Sequence, residues 1–414
     1  MTAAAVMFCA AAWGGEAPRT AFKFVFSPGA ATAGYTTVKA DTIYSKERGY
    51  GFEPVTTVKV VDRGGADPLH AGFVTADPLF RFSVMVPPGN YRVTVILGDA
   101  KGESTTTVKA EARRRMLYRV HTGMGEFVTR TFMVNVRTPE LSPGNVLKLD
   151  TREINPRTHE AVTPTWDDKL TLQFSDTQPA VCAVELEKVE DAITVFIIGD
   201  STVTDQPGGA LGTWGQMLPR WLKLPVTVAN HAESGETIKA FNMEGRWFKV
   251  MSEMKPGDYV FMQFGHNDPK TSLHNRMWPV EDTMGDWVNT GVEANTDYKW
   301  LLASHAVEVK RRGGIPVIVS PMTRINLTTG LPTNSLGEFP QAALAAARLA
   351  GVASIDLYTM SLDVIHSLGP KLAPQSSGDG THSSTYGGYL LSRCIVEGIR
   401  QAKLGLADYL VDDA

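Results

Sequence analysis

The sequence predicts two domains, a β-sandwich followed by an α/β domain built on a parallel sheet. From about residue 20 to residue 190, short runs alternate apolar and polar side chains, with almost no helical periodicity. After that point, continuous apolar runs alternate with helical stretches. A chain of 414 residues is also longer than one hydrophobic core normally supports. We therefore expect an N-terminal leader or disordered segment at 1–19, a sandwich at 20–190 and an α/β domain at 191–414.

The N-terminal segment resembles the apolar region of a secretory signal. Residues 2–13 are small and apolar, and a cleavage site is expected between Ala12 and Ala17. No basic residue precedes this stretch, and the first one is Arg19. The pattern favours export to the periplasm or the cell exterior, and the alternative is an N-terminus with no export role.

The composition indicates which classes of binding partner are not expected. The chain is 43% hydrophobic and 20% charged, with a net charge of −4, so no cationic surface attracts nucleic acid or acidic lipid. No apolar run reaches the roughly 18–20 residues that span a membrane. Besides Cys9, the cysteines are Cys182 and Cys394, and each of these two lies in an apolar run. We expect two buried thiols, no metal site and no cofactor, while the oligomeric state stays open.

The first domain shows repeated two-residue alternation. Residues 80–86 alternate, a Pro-Pro-Gly-Asn turn follows at 87–90, and alternation resumes at 91–97. This arrangement predicts a β-hairpin. The same alternation recurs at 132–136 and at 170–174, as expected for a sandwich of short strands.

The second domain shows the alternation of strands and helices that a parallel sheet requires. The predicted strands are 194–198, 226–229, 259–264, 316–319 and 353–355. The predicted helices are 213–222, 295–312, 341–350 and 384–402. A long stretch without periodicity, residues 269–292, follows one of the motifs and is expected to be functional.

Ser201 is the candidate nucleophile. It ends the sequence Gly199-Asp200-Ser201 directly after the first predicted strand of the second domain. Ligands bind outside the carboxyl ends of parallel strands, and a serine there needs a base to take its proton. Val203 stands where a Gly-x-Ser-x-Gly nucleophile elbow has its second glycine, which disfavours an ordinary α/β-hydrolase. Taken alone, the motif is more typical of a strand-to-helix turn in which Asp200 or Ser201 caps the helix.

His382 is the candidate base and Asp379 its orienting partner. They form the ends of Asp379-Gly380-Thr381-His382, just before the last predicted helix. At this spacing in a turn, the carboxylate can accept from Nδ1–H and leave Nε2 for the serine proton. The alternative is a surface Asp/His pair near a helix N-terminus.

Gly235 and Asn267 are the candidate oxyanion donors, together with the Ser201 backbone amide. Both follow predicted strands, and Asn267 lies in Gly265-His266-Asn267-Asp268. A glycine brings its N–H close to a reacting carbonyl, and an asparagine amide can donate a further bond. Singly, each residue is also an ordinary turn former. Together, and in this chain order, the four segments predict ester hydrolysis through an acyl-serine.

On these motifs the second domain resembles the SGNH (GDSL-type) hydrolases, and within them the rhamnogalacturonan acetylesterases. The family's Ser, Gly, Asn and His match Ser201, Gly235, Asn267 and His382. The first domain resembles the galactose-binding-like sandwich that precedes this catalytic domain in some bacterial relatives. The resemblance implies a flavodoxin-like three-layer α/β/α fold. It departs at Glu236, where relatives often carry a basic residue, and this leaves the charge preference of the cleft open.

The resemblance also implies the reaction, which is removal of acetyl groups from pectic polysaccharide, with an acetylated polysaccharide or oligosaccharide as partner. The candidate substrate-binding residues are His266, Trp278, Trp287 and Arg324. Tryptophans can stack on sugar rings, and a cation can face a uronate carboxylate. The alternatives are that the tryptophans pack within their loop and that the cation lies on a solvated face.

Other functions stay open from sequence alone. One is an acetylesterase acting on another carbohydrate such as xylan, and another is a non-catalytic carbohydrate-binding protein. A lipase or thioesterase on the same scaffold is a third. A fourth is a metal-dependent deacetylase, in which zinc would be held by His266, Asp268, Asp379 and His382.

Overall fold

The computed structural model describes residues 19–27, 32–147, 149, 164–269 and 291–412. Residues 1–18 of the predicted leader, with its cleavage site and Cys9, lie outside the described residues. Within the described ranges, no helix combines the length and hydropathy that crossing a membrane would require.

The first part of the chain forms two packed β-sheets. In chain order its strands are β1 Ala21–Val25, β2 Thr36–Thr37, β3 Tyr50–Phe52, β4 Lys59–Asp62, β5 Gly72–Thr75, β6 Leu79–Met85, β7 Gly89–Gly98, β8 Ser104–Ala110, β9 Arg114–Thr122, β10 Phe127–Val136, β11 Glu140–Ser142, β12 Asn145–Val146, β13 Lys169–Ser175 and β14 Val181–Val189. One sheet has the order β10-β7-β14-β1-β2, with β5 joining β14 to β4, and the other has the order β3-β6-β13-β8-β9. Strands β11 and β12 pair separately.

The alternating pattern places one face of each sheet in a shared core. Phe82 on β6 and Val93 on β7 are fully buried there, and Phe24 on β1 packs edge-on against Phe82 with ring centroids 5.1 Å apart. Burying a side chain of this size contributes roughly 1.5–3 kcal/mol. The hydrophobic effect over these alternate positions therefore holds the two sheets together.

The hairpin predicted at 80–97 is wrong. Strand β6 pairs with β3 and β13, whereas β7 pairs with β10 and β14 in the opposite sheet. The chain therefore crosses from one sheet to the other at Pro87 and Pro88, which have no backbone N–H to give a hairpin ladder. Both strands alternate because each has one face in the same core, so alternation alone did not distinguish the two arrangements.

The second part of the chain forms a parallel sheet flanked by helices. Its strands are β15 Ile193–Gly199, β16 Val226–Asn230, β17 Tyr259–Gln263, β18 Ile315–Val319 and β21 Ala353–Ile355, and a small hairpin contains β19 Arg324–Asn326 and β20 Leu331–Thr333. The α-helices are α1 Trp214–Met217, α2 Ile238–Met243, α3 Arg246–Glu253, α4 Lys299–Arg311, α5 Phe339–Ala350, α6 Leu357–Leu372, with a break at Gly369, and α7 Thr385–Gln401. The sheet order is β16-β15-β17-β18-β21, and every pairing is parallel.

Both faces of this sheet are buried. On β15, Val195 and Ile197 belong to one hydrophobic cluster, which includes Trp214, whereas Phe196 and Ile198 belong to the cluster on the other face. Helices therefore cover the sheet on both sides, which gives three layers. The predicted fold class is confirmed: a sandwich of two β-sheets precedes a three-layer α/β/α domain with a parallel sheet.

The predicted elements of this domain agree with the structure except at some helices. All five predicted strands are present. The helix predicted at 213–222 is a short α1 followed by a 3₁₀ turn, and the one predicted at 295–312 begins with a π-helical turn. Helices α2, α3 and α6 were not predicted. Strand β14 ends at Val189 and β15 begins at Ile193, and the division of the chain at residues 190 and 191 remains our proposal.

The cysteines in the described part of the chain are both buried and free. Cys182 lies on β14 and Cys394 lies on α7, in different domains. Burial raises the pKa of the Cys182 thiol to about 12 and that of Cys394 to about 11. Both therefore pack as small apolar side chains, as the sequence predicts.

Candidate active site

Ser201 lies just beyond the carboxyl end of β15, where its hydroxyl meets the ring of His382. The Ser201 Oγ and His382 Nε2 atoms are 2.8 Å apart, although the residues are 181 positions apart in sequence. The Val203 and Thr204 amides both donate to the Asp200 carbonyl at 3.1 Å, so a tight turn presents the serine. Ser201 is only 7% exposed. The hydroxyl is therefore in hydrogen-bond contact with the base that sequence reasoning assigned to it.

His382 is oriented by Asp379 within a single turn. The His382 Nδ1 and Asp379 Oδ2 atoms are 2.7 Å apart, and the other carboxylate oxygen accepts from the backbone N–H groups of Thr381 and His382. Partial burial opposes ionisation of Asp379, but the hydrogen bonds from His382 outweigh it and hold the Asp379 pKa below its ordinary value of 3.8. The carboxylate is thus ionised where it supports the ring.

A buried carboxylate, Asp200, joins the Ser201 turn to the segment that carries Asn267. Asp200 Oδ1 accepts from the Thr202 amide at 2.9 Å and from its hydroxyl at 2.6 Å. Asp200 Oδ2 accepts from the His266 amide at 3.2 Å. The loops that follow β15 and β17 are therefore held together by one side chain.

A second buried carboxylate, Asp268, joins the Asn267 segment to helix α2. Its oxygens accept from the Gly265 amide at 2.8 Å and from the Ile238 amide at 2.9 Å. Burial, together with the charge of Asp200, raises the pKa of Asp268 to about 7 although the two backbone amides favour the anion. Since α2 begins just after Gly235, Asp268 links the two segments that carry the predicted oxyanion donors.

Gly235 and Asn267 lie on adjoining segments. Gly235 has φ +87°, a left-handed conformation that glycine adopts without a steric cost. The Asn267 side-chain amide donates to the carbonyl of Glu236, the next residue, at 3.0 Å. The amide is thereby held beside the Gly235 backbone.

The Glu236 side chain does not face the cleft. It is fully buried, and burial together with the neighbouring carboxyl of Glu244 raises its pKa well above the ordinary value. The departure from the basic residue of the relatives therefore adds no exposed negative charge beside Gly235.

The predicted substrate-binding residues fall into two groups. Arg324, at the start of β19, donates from Nη2 to the His266 carbonyl at 2.9 Å, and His266 is buried next to Asn267. Arg324 is partly exposed, so a cation lies at the border of the site. Trp278 and Trp287 lie outside the described residues.

The four residues of the zinc alternative each serve other contacts. His266 Nδ1 accepts from Arg324 Nε at 3.4 Å. Asp268 accepts from two backbone amides, and Asp379 and His382 bond each other while His382 also bonds Ser201. Across the described ranges, no group of three or more His, Cys, Asp or Glu side chains is arranged to hold a metal ion.

Several residues that organise the site were not singled out from sequence. Gln206 donates from Nε2 to the Ser201 carbonyl at 3.0 Å, and Gln263, at the end of β17, donates to the Thr202 hydroxyl at 2.7 Å. Asp200 was visible within its motif, because it immediately precedes Ser201. The glutamines carried no comparable signal. The role of Gln263 depends on β15 and β17 being neighbours, and Gln206 lies in the loop after Ser201 outside any motif.

Comparison with known proteins identifies the family of the second domain. A family model described as the GDSL-like lipase/acylhydrolase family matches residues 197–387. These residues are a GDSL-like acylhydrolase domain. A second model, described as β-agarase/YXIM esterase-like and galactose-binding-domain-like, matches residues 22–142. The resemblance predicted for each domain is confirmed.

Individual relatives agree with this assignment. The chain is 29% identical over 237 residues to the rhamnogalacturonan acetylesterase RhgT of Bacillus subtilis, covering 53% of this chain and 94% of that protein. It is 24% identical over 396 residues to the esterase YxiM of the same organism, covering 92% of this chain and 91% of that one. A crystal structure of YxiM aligns with a TM-score of 0.45 at 23% identity over 93% of this chain and 99% of that one. The family and the relatives support carboxylic ester hydrolase activity.

Proposed function

We propose that this chain is a serine esterase that removes acetyl groups from pectic polysaccharide of the rhamnogalacturonan type. The observation that carries the proposal is the continuous set of hydrogen bonds from Asp379 through His382 to Ser201, with distances of 2.7 and 2.8 Å. This arrangement lies in a GDSL-like acylhydrolase domain whose relatives include rhamnogalacturonan acetylesterases.

The first half of the reaction forms an acetyl-enzyme. His382 Nε2 accepts the proton of Ser201, and the serine oxygen attacks the acetyl carbonyl carbon. The negative charge that develops on the carbonyl oxygen is stabilised by the backbone amides of Ser201 and Gly235 and by the side chain of Asn267. His382 then gives its proton to the departing sugar oxygen as the carbon–oxygen bond breaks.

The second half releases acetate. His382 Nε2 accepts a proton from water, and the water oxygen attacks the acetyl carbon of the acyl-serine. When the bond to the serine oxygen breaks, His382 returns the proton to Ser201. Asp379 holds the ring in one tautomer and stabilises its cation in both halves.

The preference for a pectic substrate is supported by the cation at the border of the site. Arg324 is anchored on the carbonyl of His266, next to Asn267, and remains partly exposed. A guanidinium is suited to a planar carboxylate such as that of a galacturonate residue. We extend the proposal to stacking of sugar rings on Trp278 and Trp287, and to export of the chain, because a polymeric substrate lies outside the cell.

A panel of acetylated substrates tests the proposed function. Acetylated rhamnogalacturonan, homogalacturonan, xylan and chitin oligomers would each be incubated with the wild-type chain and with Ser201→Ala, and free acetate measured. We expect the highest kcat/KM on rhamnogalacturonan and no comparable release by the variant. Matched acetyl and long-chain acyl esters of one alcohol form a second panel, in which acetyl should be preferred.

The other outcomes identify the alternatives. Preference for xylan would make the chain an acetylesterase of a different polysaccharide, and preference for long acyl chains would make it a lipase or thioesterase. Sugar binding without acetate release from any substrate would indicate a non-catalytic carbohydrate-binding protein. Loss of activity with a chelator, restored by Zn²⁺, would favour the metal-dependent deacetylase.

A further inference from the structure

The turn between β8 and β9 extends from the sandwich into the catalytic domain. Two of its three residues, Glu111 and Arg113, have φ values of +54° and +67° although neither is glycine. The middle residue, Ala112, accepts a hydrogen bond from Gln216 Nε2 at 2.6 Å, and Gln216 belongs to α1. Left-handed backbone at two non-glycine residues is uncommon, and surrounding contacts must hold it in place.

Arg113 binds the backbone of the segment that follows Ser201. Its Nη1 atom lies 3.2, 3.0 and 3.2 Å from the carbonyl oxygens of Gln206, Gly208 and Leu211. Three acceptors on one donor atom fix the course of this segment. Without Arg113, the carbonyls of Gly208 and Leu211 would form hydrogen bonds with water, and the Gln206 carbonyl would keep its bond from Gln216 Nε2. The segment would lose the one side chain that binds all three carbonyls.

The same segment contacts both halves of the catalytic apparatus. At one end, Gln206 Nε2 donates to the Ser201 carbonyl at 3.0 Å. At the other end, the Gly212 amide donates to the Ser383 carbonyl at 3.1 Å, and Ser383 follows His382 directly. A displacement of this segment therefore acts on the nucleophile and on the base together.

Arg114, the first residue of β9, provides a second, buried anchor directly after the turn. Its Nη1 donates to the Val228 carbonyl on β16 at 2.8 Å, and its Nε lies 3.3 Å from Asp205 Oδ2. Asp205 Oδ1 in turn accepts from Asn230, whose amide also donates to the Val203 carbonyl. These side chains are nearly inaccessible to solvent, so the ion pair is shielded from salt and water.

We propose that the β8–β9 turn is a positioning element for catalysis, which aligns Ser201 with His382 from outside the catalytic domain. The inference rests on the proposed role of Ser201 as nucleophile. It gives the sandwich a task in the chemical step that is separate from any binding of polymer. Arg113 and Arg114 are positioning residues in this scheme, since neither touches the reacting atoms.

Arg113→Ala tests the proposal, with Arg119→Ala as its matched control. Arg119 lies on β9, also has a positive φ of +50°, and pairs with Asp176 on the sandwich surface. On a small neutral acetyl ester, we expect Arg113→Ala to lower kcat about 10- to 100-fold with KM changed less than twofold, because a shift of about 1 Å between reacting groups can cost 10²-fold. Arg113→Lys should recover part of the loss, and Arg119→Ala should behave as wild type.

A second measurement tests the alignment of Ser201 without requiring a full catalytic cycle. The maximal rate of inactivation by a serine-directed phosphonate should fall in Arg113→Ala by a factor similar to kcat, while the circular dichroism spectrum stays that of the wild type. If Arg113→Ala fails to fold, Gln206→Leu removes the bond to the Ser201 carbonyl and leaves the turn in place, and its kcat should fall likewise.

The results separate this inference from the proposed function. A folded Arg113→Ala, or in its place a folded Gln206→Leu, with kcat within twofold of Arg119→Ala would overturn the positioning role. So would a change confined to KM on the polymer, which would indicate sugar binding by the sandwich. If Ser201→Ala reacted with the phosphonate as fast as wild type, the nucleophile itself would be wrong.

Discussion

The segment around Ser201 and the segment around His382 meet at the hydrogen bond between these two side chains, but they are held in different ways. Ser201 is 7% exposed, and its turn is fixed by the side chains of Gln206 and of Gln263 on β17. Arg113 of the sandwich binds the segment that follows this turn. The side chains of His382 and Asp379 are 28% and 53% exposed, and their turn is fixed by bonds among neighbouring residues. The turn of the proposed nucleophile therefore depends on contacts from other parts of the fold. The proposed base is held mainly within its own turn, with added backbone bonds from Ile325 to Gly380 and from Gly212 to Ser383.

The exposed side of the site is the turn that carries His382 and Asp379, and it borders solvent next to β19. The β19 backbone bonds this turn, since the Ile325 amide donates to the Gly380 carbonyl at 2.9 Å. Arg324 precedes Ile325 and reaches His266. We infer that the buried side secures the geometry of the reaction and that the exposed side meets the polysaccharide.

The largest effects should come from the hydrogen bond where the two segments meet. Ser201→Ala and His382→Ala should each lower kcat by about 10⁴–10⁶, and the double variant should be little worse, because the two groups act as a unit. Steady-state acetate release measures this, with His366→Ala, an exposed histidine on α6, as the control. Near-normal acetate release by Ser201→Ala would remove the mechanism.

Asn267→Ala should have the next largest effect, on the buried side. Loss of one oxyanion donor lowers kcat by about 10²–10³ with little change in KM, because the charge develops only in the transition state. Both constants can be measured on a small acetyl ester. A rise in KM at constant kcat would instead indicate that Asn267 binds the ground state.

Asp379→Asn should have a smaller effect, because its carboxylate is half exposed and water screens it. We expect kcat to fall about 10- to 100-fold, which corresponds to a hydrogen bond with a charged partner of about 1.5–3 kcal/mol. Direct comparison with His382→Ala under the same conditions tests the difference between the two segments. A loss as large as that of His382→Ala would show that exposure does not weaken this pair.

Arg324→Ala should affect substrate selection more than chemistry. KM for acetylated rhamnogalacturonan should rise about two- to fivefold, the range expected for an exposed ion pair of up to about 1 kcal/mol. KM for acetylated xylan oligomers, which lack the uronate of the backbone, should change less. Equal changes on both polymers would mean that Arg324 supports the His266 segment and does not recognise charge.

The remaining prediction concerns stability and its pH dependence, and not activity. The fold raises the pKa of Asp268 from 3.8 to about 7, so its contribution to the free energy of unfolding is present in acid and is lost as the pH rises through about 7. For Asp379 the pKa is lowered, so its contribution is present above pH 3.8 and is lost as the pH falls below it. Lowering the pH therefore preserves the contribution of Asp268 to stability and removes that of Asp379.

Denaturant unfolding of Asp268→Asn at several pH values measures the first of these contributions. The stability of wild type relative to the variant should fall by up to about 1.4 kcal/mol per pH unit between pH 5 and pH 7. Asp379→Asn is the matched comparison and should show no fall in that range. A difference for Asp268→Asn that rises with pH would show that the carboxylate is stabilised as an anion.

What the sequence predicts follows the same division between local and long-range contacts. The strands of the parallel sheet were predictable because each is a continuous apolar run, and the Asp379–His382 turn because its contacts span three residues. The strands that pair with β6 and β7 were not predictable. Alternation shows that a strand has a buried face, but it does not show which strand lies beside it. Arg113 was not found for the same reason: its acceptors at 206–211 are about 95 positions away.

The interface around Arg114 bears on any attempt to dissect the enzyme. An isolated catalytic half would leave the Asp205 carboxylate and the Val228 carbonyl without the guanidinium that now covers them. Water would hydrate both groups, so such a fragment could stay in solution. The segment that follows Ser201 would nevertheless sample many conformations. Transplanting this hydrolase onto another module would therefore require a replacement for the pair of arginines, and not merely a linker of suitable length.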